Sequence, residues 1–344
     1  MPRALIFAAF MLARAAAAST SAADSTAVTI TVGDWTSGIA TNSTPTYQTS
    51  INPKYRADKG NPSNISDTVY ANMKALDADF MRHVPWFPYP HLAVAELNPV
   101  NKTAAGGGCT TSWNWTLIDP ISEGVFGATG DHPMVLNFAT TPEWFWQANV
   151  SFPADPNRRF AGYEQGTKLL DASYKQIVDY YHRLAQWYTG VGGGFEDECG
   201  VFHKSPHAQK NIAWWEIFNE MEHRLPIGYY DELYDAIVSD LRVLLPDMKF
   251  LGLAMGSHDQ FQSYTYHLNR SNHHPHDIPL DGISYHQYVS GSGQDLPTLG
   301  PQYFGAMDTF VEEVTKIEGI KKAMSPTTET FINEPVRILQ SPLL

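Results

Sequence analysis

Trp214-Trp215-Glu216-Ile217-Phe218-Asn219-Glu220 decides the reading of this chain, together with Thr330-Phe331-Ile332-Asn333-Glu334 much later. Each is an apolar, β-prone run that ends abruptly in a carboxylate. A carboxylate at the end of a buried strand is costly to desolvate unless it is paired, hydrogen-bonded or put to use. The two carboxylates are 114 residues apart, with strand and helix signals between them. That pattern predicts two walls of one α/β barrel.

Working outward, strand-like and helix-like segments alternate, the mark of a parallel sheet with crossover helices. Strands are expected at 27–32, 79–85, 134–139, 214–220, 249–255, 282–288 and 328–334, with a Thr-, Asn- and Pro-rich loop after the first. Helices are expected at 64–76, 115–125, 166–188, 229–245, 259–268 and 302–320. In the third helix, Leu169, Leu170, Tyr174, Ile177, Tyr180 and Tyr181 recur on one face at helical spacing. Residues 86–113 read as a long loop and 190–211 as an irregular insert. Loops of such length are usually functional. The expected fold is a TIM-type (β/α)8 barrel. Only ten residues follow the seventh strand, so the barrel reads as truncated there, its eighth β/α unit missing. No repeat or linker marks a second domain, and residues 24–344 read as one barrel.

Of the 344 residues 43% are hydrophobic, ample for one large core, and the net charge is -13. That charge argues against nucleic acid, whose binders carry basic surface, and against an anionic membrane surface. Arg3, the apolar stretch 4–12 and the small residues Ala15 to Ser19 read as a secretory signal over residues 1–23. No later stretch approaches the ~20 apolar residues of a membrane span. Asn-X-Ser/Thr sites at Asn42, Asn64, Asn101, Asn114, Asn149 and Asn269 agree with a secreted glycoprotein. Cys109 and Cys199 can pair in an oxidising compartment. On this strand assignment they fall toward opposite barrel ends, which disfavours a bridge unless a long loop folds over.

In such a barrel, active residues sit at the C-terminal ends of the strands. Glu220 and Glu334 both end theirs. Paired carboxylates suit hydrolysis of a glycosidic bond with retention. One acid protonates the leaving oxygen and a second carboxylate, ~5 to 5.5 Å away, attacks the anomeric carbon. The acid must keep its proton, which burial and a negative neighbour favour. The nucleophile must stay ionised and needs donors. Arg82, near the end of the second strand, can supply charge, and His286 and Tyr288, on one side of the sixth, can supply hydrogen bonds. Glu329 is the rival to Glu334, but it begins its strand, at the wrong barrel end. Glu216 shares parity with Glu220 and reads as a structural carboxylate one layer down, with which Arg82 can pair. Trp86 and Trp144, in post-strand positions, offer rings on which a sugar's C–H face stacks. His273, His274 and His276 with Asp277 lack the spacing of zinc hydrolases, and no metal site is assigned to them. The glycine runs at 106–108 and 192–194 lack the Lys-Ser/Thr of a phosphate loop, so no nucleotide is expected.

Asn219-Glu220 after an aromatic-apolar strand resembles the Asn-Glu signature of clan A glycoside hydrolases. The chain is most similar to family 39, which includes β-xylosidases and α-L-iduronidases. Trp215-Glu216-Ile217-Phe218-Asn219-Glu220 resembles that family's fourth strand, Phe80-Met81-Arg82-His83 its second and Ser284-Tyr285-His286-Gln287-Tyr288 its sixth. The resemblance runs in strand order from Ala27 to Glu334. It implies that Glu220 is the acid/base, that Glu334 is the nucleophile, and that Asn219 hydrogen-bonds the sugar hydroxyl beside the anomeric carbon. It also implies an oligo- or polysaccharide substrate and no cofactor. The alternative is a non-catalytic carbohydrate-binding protein on the same barrel.

Overall fold

Seven strands pair in chain order into one parallel sheet. They are β1 (Thr46–Ser50), β2 (Phe80–Val84), β3 (Met134–Leu136), β4 (Ile212–Glu216), β5 (Lys249–Met255), β6 (Gly282–His286) and β7 (Glu329–Glu334). The structure is a computed structural model. It describes residues 46–56, 65–86, 89–104, 108–147, 151–159, 166–256, 260–269, 274–275, 278–288 and 296–334. These fall in one compact unit, Thr44–Leu344; the other unit, Met1–Ser43, lies outside the described residues. The predicted signal, the predicted strand at 27–32 and the segment after Glu334 lie outside them too.

Period-two alternation sorts the strand side chains between barrel interior and helical jacket. Phe80, Val135, Trp214, Leu251 and Phe331 meet as an apolar interior floor, with the Trp214 and Phe331 rings 4.9 Å apart. One step up the strands, the interior positions turn polar: Arg82, Asn137, Glu216 and Ser284 are all buried. The sheet curls enough that its first and last strands meet, Gln48 Nε2 of β1 donating to Glu334 Oε1 of β7 at 2.7 Å. This is the (β/α) barrel architecture, with seven strands among the described residues.

The helices are α1 (Ser66–Leu76), α2 (Asp119–Thr129), α3 (Lys175–Thr189), α4 (Ile227–Leu244), α5 (Phe261–Leu268) and α6 (Leu296–Met324). Outward-facing strand residues such as His83 and Trp215 pack beneath them. α3 starts nine residues later than its periodicity predicts. Asp171 takes the backbone N–H groups of Ser173 and Gln176, and Tyr174 sits at φ 61°. Local side-chain capping of this kind competes with helix upstream.

Three further expectations are corrected. The first described strand is Thr46–Ser50, inside the stretch read as loop. Its Thr and Tyr residues suit a strand, and it is in register with β2, Gln48 beside Arg82. β4 ends at Glu216, not Glu220, because Phe218 (φ 63°) and Glu220 (φ 53°) are left-handed. Finally, Cys109 and Cys199 are joined, with Cα atoms 5.4 Å apart. Each lies in an insertion that folds as a hairpin arm. One arm pairs Asn101–Ala104 with Gly108–Thr110, the other Gly194–Glu196 with Phe202–Lys204. The barrel-end geometry that disfavoured the bridge does not constrain such arms. The second arm needs its glycine: a Cβ on Gly194 would lie 2.0 Å from the His203 carbonyl oxygen.

Candidate active site

The polar interior layer is built around Glu216, which is fully buried. Its Oε2 takes Arg82 Nε at 2.8 Å, Arg82 Nη2 at 2.6 Å and Asn137 Nδ2 at 2.5 Å. Its Oε1 takes Asn333 Nδ2 at 2.6 Å and the Ser284 hydroxyl. Five donors for one carboxylate are what a buried charge requires. Glu216 therefore has the structural environment expected of it, and Arg82 does two things at once. It neutralises Glu216 and also points Nη1 at Gln48 Oε1 (2.6 Å) and Glu334 Oε1 (3.3 Å), with Nη2 on Asn219 Oδ1 (2.8 Å).

Above this layer the chain after β4 leaves strand geometry. The left-handed turns at Phe218 and Glu220 face two more on β5, Leu253 (φ 78°) and Ala254 (φ 45°). Left-handed backbone costs a residue with a Cβ roughly 1 to 2 kcal/mol, and such strain collects at working sites. Here Glu220 N–H bonds the Ala254 carbonyl at 2.9 Å, which fixes the turn, and the Glu220 side chain reaches His286. Glu220 Oε1 and His286 Nδ1 are 2.8 Å apart. His286 is fully buried, and its other nitrogen lies 3.7 Å from Glu334 Oε1. One oxygen of Glu220, one imidazole nitrogen and one oxygen of Glu334 all lie within 4.8 Å of one another.

Glu334 enters through a break in register. Tyr285 of β6 pairs with Ile332, but His286 pairs with Glu334. The skipped residue lets Asn333 and Glu334 both face the interior, one on Glu216 and the other on the mouth. Glu334 accepts from Gln48, Arg82 and the Tyr288 hydroxyl. Burial alone would raise its pKa. The positive charges of His286 and Arg82 and the hydrogen bonds from Tyr288 and Gln48 outweigh burial and hold it below the ordinary carboxylate value.

The structure thus brings together Glu220, Glu334, Asn219, Arg82, His286 and Tyr288. Asn219 is buried, and its Nδ2 has no partner among the described residues, so a donor is left over at the mouth. Trp86 is half-buried two residues beyond β2. Trp144 donates its Nε1–H to the Glu96 carbonyl at 3.2 Å. Glu329 is at the opposite end of β7 and pairs with Lys249 at 2.5 Å. His83 faces outward to Ser122 Oγ at 3.1 Å, and burial pushes its pKa down to about 3. Gln48, Asn137, Ser284 and Asn333 were not among the predicted site residues. Interior parity after recognised strands marks Asn137 and Ser284, whereas Asn333 needs the break in register.

Three groups of possible metal ligands emerge among the described residues, one of them Asp119 and Glu123 of α2 with His207. The carboxylate–imidazole–carboxylate set at the mouth has suitable spacing. So do Asp231, His267 and His274, where three of the four imidazole nitrogens are engaged and His267 Nε2 has no partner among the described residues. His267 Nδ1 meets Asp231 at 2.7 Å, while His274 meets Asp235 at 2.6 Å and the His267 carbonyl at 2.7 Å. His273, His276 and Asp277 lie outside the described residues.

The fold falls in a recognisable class, the (β/α) barrel, and it is similar to the barrels of solved glycoside hydrolases. Among solved structures, the chain is similar to a monomeric beta-xylosidase from Caulobacter crescentus CB15, at 16% identity and TM-score 0.51, covering 86% of this chain and 52% of that one. It is also similar to the thermostable GH51 alpha-L-arabinofuranosidase from Thermotoga petrophila RKU-1, at 14% identity and TM-score 0.51, covering 87% and 58%. A GH39 enzyme from Xanthomonas axonopodis pv. citri matches at 13% identity and TM-score 0.47, covering 87% and 51%. The chain spans about half the length of the structures it matches. No protein-family model matches the sequence, and no curated protein does.

Proposed function

We propose that this chain hydrolyses O-glycosidic bonds with retention, as a secreted glycoprotein acting on an oligo- or polysaccharide. The observation that carries this reading is the approach of Glu220 and Glu334 to within 4.8 Å across His286, close to the ~5 to 5.5 Å separation of retaining enzymes. Glu220 gives its proton to the glycosidic oxygen while Glu334 attacks the anomeric carbon. The bond to the leaving group breaks and a glycosyl ester forms. Water, losing a proton to Glu220, then displaces Glu334 and frees the sugar. Arg82, Tyr288 and Gln48 keep Glu334 ionised for attack, and Asn219 Nδ2 hydrogen-bonds the adjacent sugar hydroxyl. The Cys109–Cys199 bridge suits an oxidising compartment, and the sequon residues Asn101 and Asn114 are exposed.

The names of the similar structures make aryl xylosides and arabinofuranosides the first substrates to screen, followed by glucosides, galactosides and uronides. Glu334→Gln abolishes turnover. Azide restores product, as the glycosyl azide of retained configuration, to Glu220→Ala. Full activity in Glu220→Gln removes that residue from the acid/base role. The ligand spacing of Glu220, His286 and Glu334 also favours a second reading, a metal-dependent hydrolase. Loss of activity on chelation, restored by a divalent cation, selects it over the first.

A further inference from the structure

A cleft of about 510 Å³, whose lining includes neither Glu220 nor Glu334, follows the first turns of α3. That volume lies within the ~300 to 1,000 Å³ of small-molecule sites. Glu96, beyond β2, lines it with Trp144, beyond β3, and with Glu198 of the second hairpin arm. The Cys109–Cys199 bridge ties down this last wall, Glu198 being the residue before Cys199.

Most polar groups around the cleft have partners, though Glu198 Oε2 has none among the described residues. Asp179 pairs with Lys175 at 2.5 Å, and Glu198 pairs with Arg183. Asp171 accepts from Ser173 N (3.0 Å), Ser173 Oγ (2.6 Å) and Gln176 N (2.9 Å). Two further groups matter to a ligand. One is the half-buried indole of Trp144, held by its bond to the Glu96 carbonyl and by the edge-to-face Phe145 ring at 4.4 Å. The other is the Glu96 side chain, 2% exposed. Burial, then the Glu198 charge, outweighs Arg183 and with Asp197 pushes the Glu96 pKa up to about 8. Glu96 is therefore a neutral carboxylic acid at pH 7, able to donate and accept one hydrogen bond each. An apolar ring beside a neutral donor–acceptor suits an uncharged polyhydroxy ring rather than an ion.

We propose that this cleft is a second carbohydrate-binding site, taking a neutral saccharide unit against Trp144 with a sugar hydroxyl on Glu96. It is a binding site only and goes beyond the hydrolytic reading.

The test is protein-observed NMR on the full chain carrying Glu334→Gln, which keeps substrate intact. Xylotetraose, cellotetraose and mannotetraose are titrated separately to millimolar concentration. The reporter is the Trp144 indole N–H resonance, assigned by its loss in Trp144→Phe. At least one tetrasaccharide is expected to shift it, and Glu96→Ala is expected to weaken that binding about tenfold, the scale of one lost buried hydrogen bond. Glu96→Gln, which still donates and accepts, is expected to bind within about threefold of the parent. No shift at Trp144 with any of the three probes overturns the proposal, and this readout stands even if Glu96→Ala does not fold. Equal affinity in a folded Glu96→Ala overturns it as well. A chain that binds here yet hydrolyses no glycoside keeps this site and loses the catalytic reading. A chain that hydrolyses glycosides without any shift at Trp144 does the reverse.

Discussion

Gly256, one residue beyond β5, sets how close the protein can come to Glu220. A Cβ at this position would lie 2.7 Å from Glu220 Oε1, 2.9 Å from Cδ and 3.1 Å from Cγ. Ordinary contact at these atoms begins near ~3.4 Å, so Gly256→Ala forces the carboxyl back by about 0.7 Å. The carboxyl has little freedom to absorb that. Its backbone is pinned by the bond from Glu220 N to the Ala254 carbonyl at 2.9 Å, and its Oε1 is pinned by His286 at 2.8 Å. Gly256 itself does not use the left-handed region. Alanine is therefore conformationally acceptable there, and its entropic effect on the unfolded chain is favourable by ~0.4 to 1 kcal/mol. Against the clash, which as overpacking costs about 1 to 3 kcal/mol, this leaves a net loss of no more than about 3 kcal/mol.

Catalysis should fall as well, since a misplacement of about 1 Å costs on the order of 100-fold. The loss should follow the leaving group, because Glu220 in the proposed role protonates the departing oxygen. Aryl glycosides with basic leaving groups should lose roughly 10- to 100-fold in kcat/KM. A dinitrophenyl glycoside, whose phenolate leaves without a proton, should lose much less. The assay is kcat/KM across a series of aryl leaving groups for wild type and Gly256→Ala, with thermal melts of both. Equal loss across the series in a folded variant would refute the placement of Glu220 as the acid. So would no loss at the basic end.

Tyr288→Phe removes a donor to Glu334. Glu334, whose pKa is held low, keeps activity as pH falls through the ordinary glutamate range and loses it only below that. The variant should therefore move the acid limb of kcat/KM to higher pH and lower kcat about 10- to 100-fold; an unmoved limb would contradict the role of Glu334. Glu216→Ala strips the buried Arg82 of its main counter-ion, removes the carboxylate that Asn333 donates to, and leaves Asn137 and Ser284 only the Phe218 and Gly252 carbonyls. A loss of ~3 to 5 kcal/mol in urea unfolding is expected, and an unchanged midpoint would mean the layer is not structural. For His83, with a folded pKa of about 3, the unfolded state binds the proton first as pH falls below ~6.5. Stability is full above that pH and declines by on the order of 4 kcal/mol by pH 3. In His83→Asn that part of the slope should vanish from urea unfolding measured across pH, whatever happens at neutrality.

The barrel was legible because its cues are local and repeated: apolar runs, alternation, and helices punctuated between them. Six of the seven strands follow from such runs. The first does not, because Thr46-Tyr47-Gln48-Thr49-Ser50 is polar and short, and only its pairing with β2 makes it a strand. With it went Gln48, which joins the two edges of the sheet through Glu334. Glu220 and Glu334 were legible as carboxylates at the ends of apolar runs, but for neither is simple strand geometry the reason they meet. Glu220 arrives through two left-handed residues after β4 has ended, and Glu334 through a skipped pairing between β6 and β7. Alternation alone would turn Asn333 and Glu334 to opposite faces; the break turns both inward, one to hold Glu216 and the other to face Glu220. Irregular backbone at two strand ends therefore converts a structural layer into a reactive one a single step above it. This is the part that periodicity cannot encode. Departures from ideal strand geometry, more than the barrel itself, are what distinguish the mouth from the floor, where Trp214 and Phe331 obey alternation and only pack.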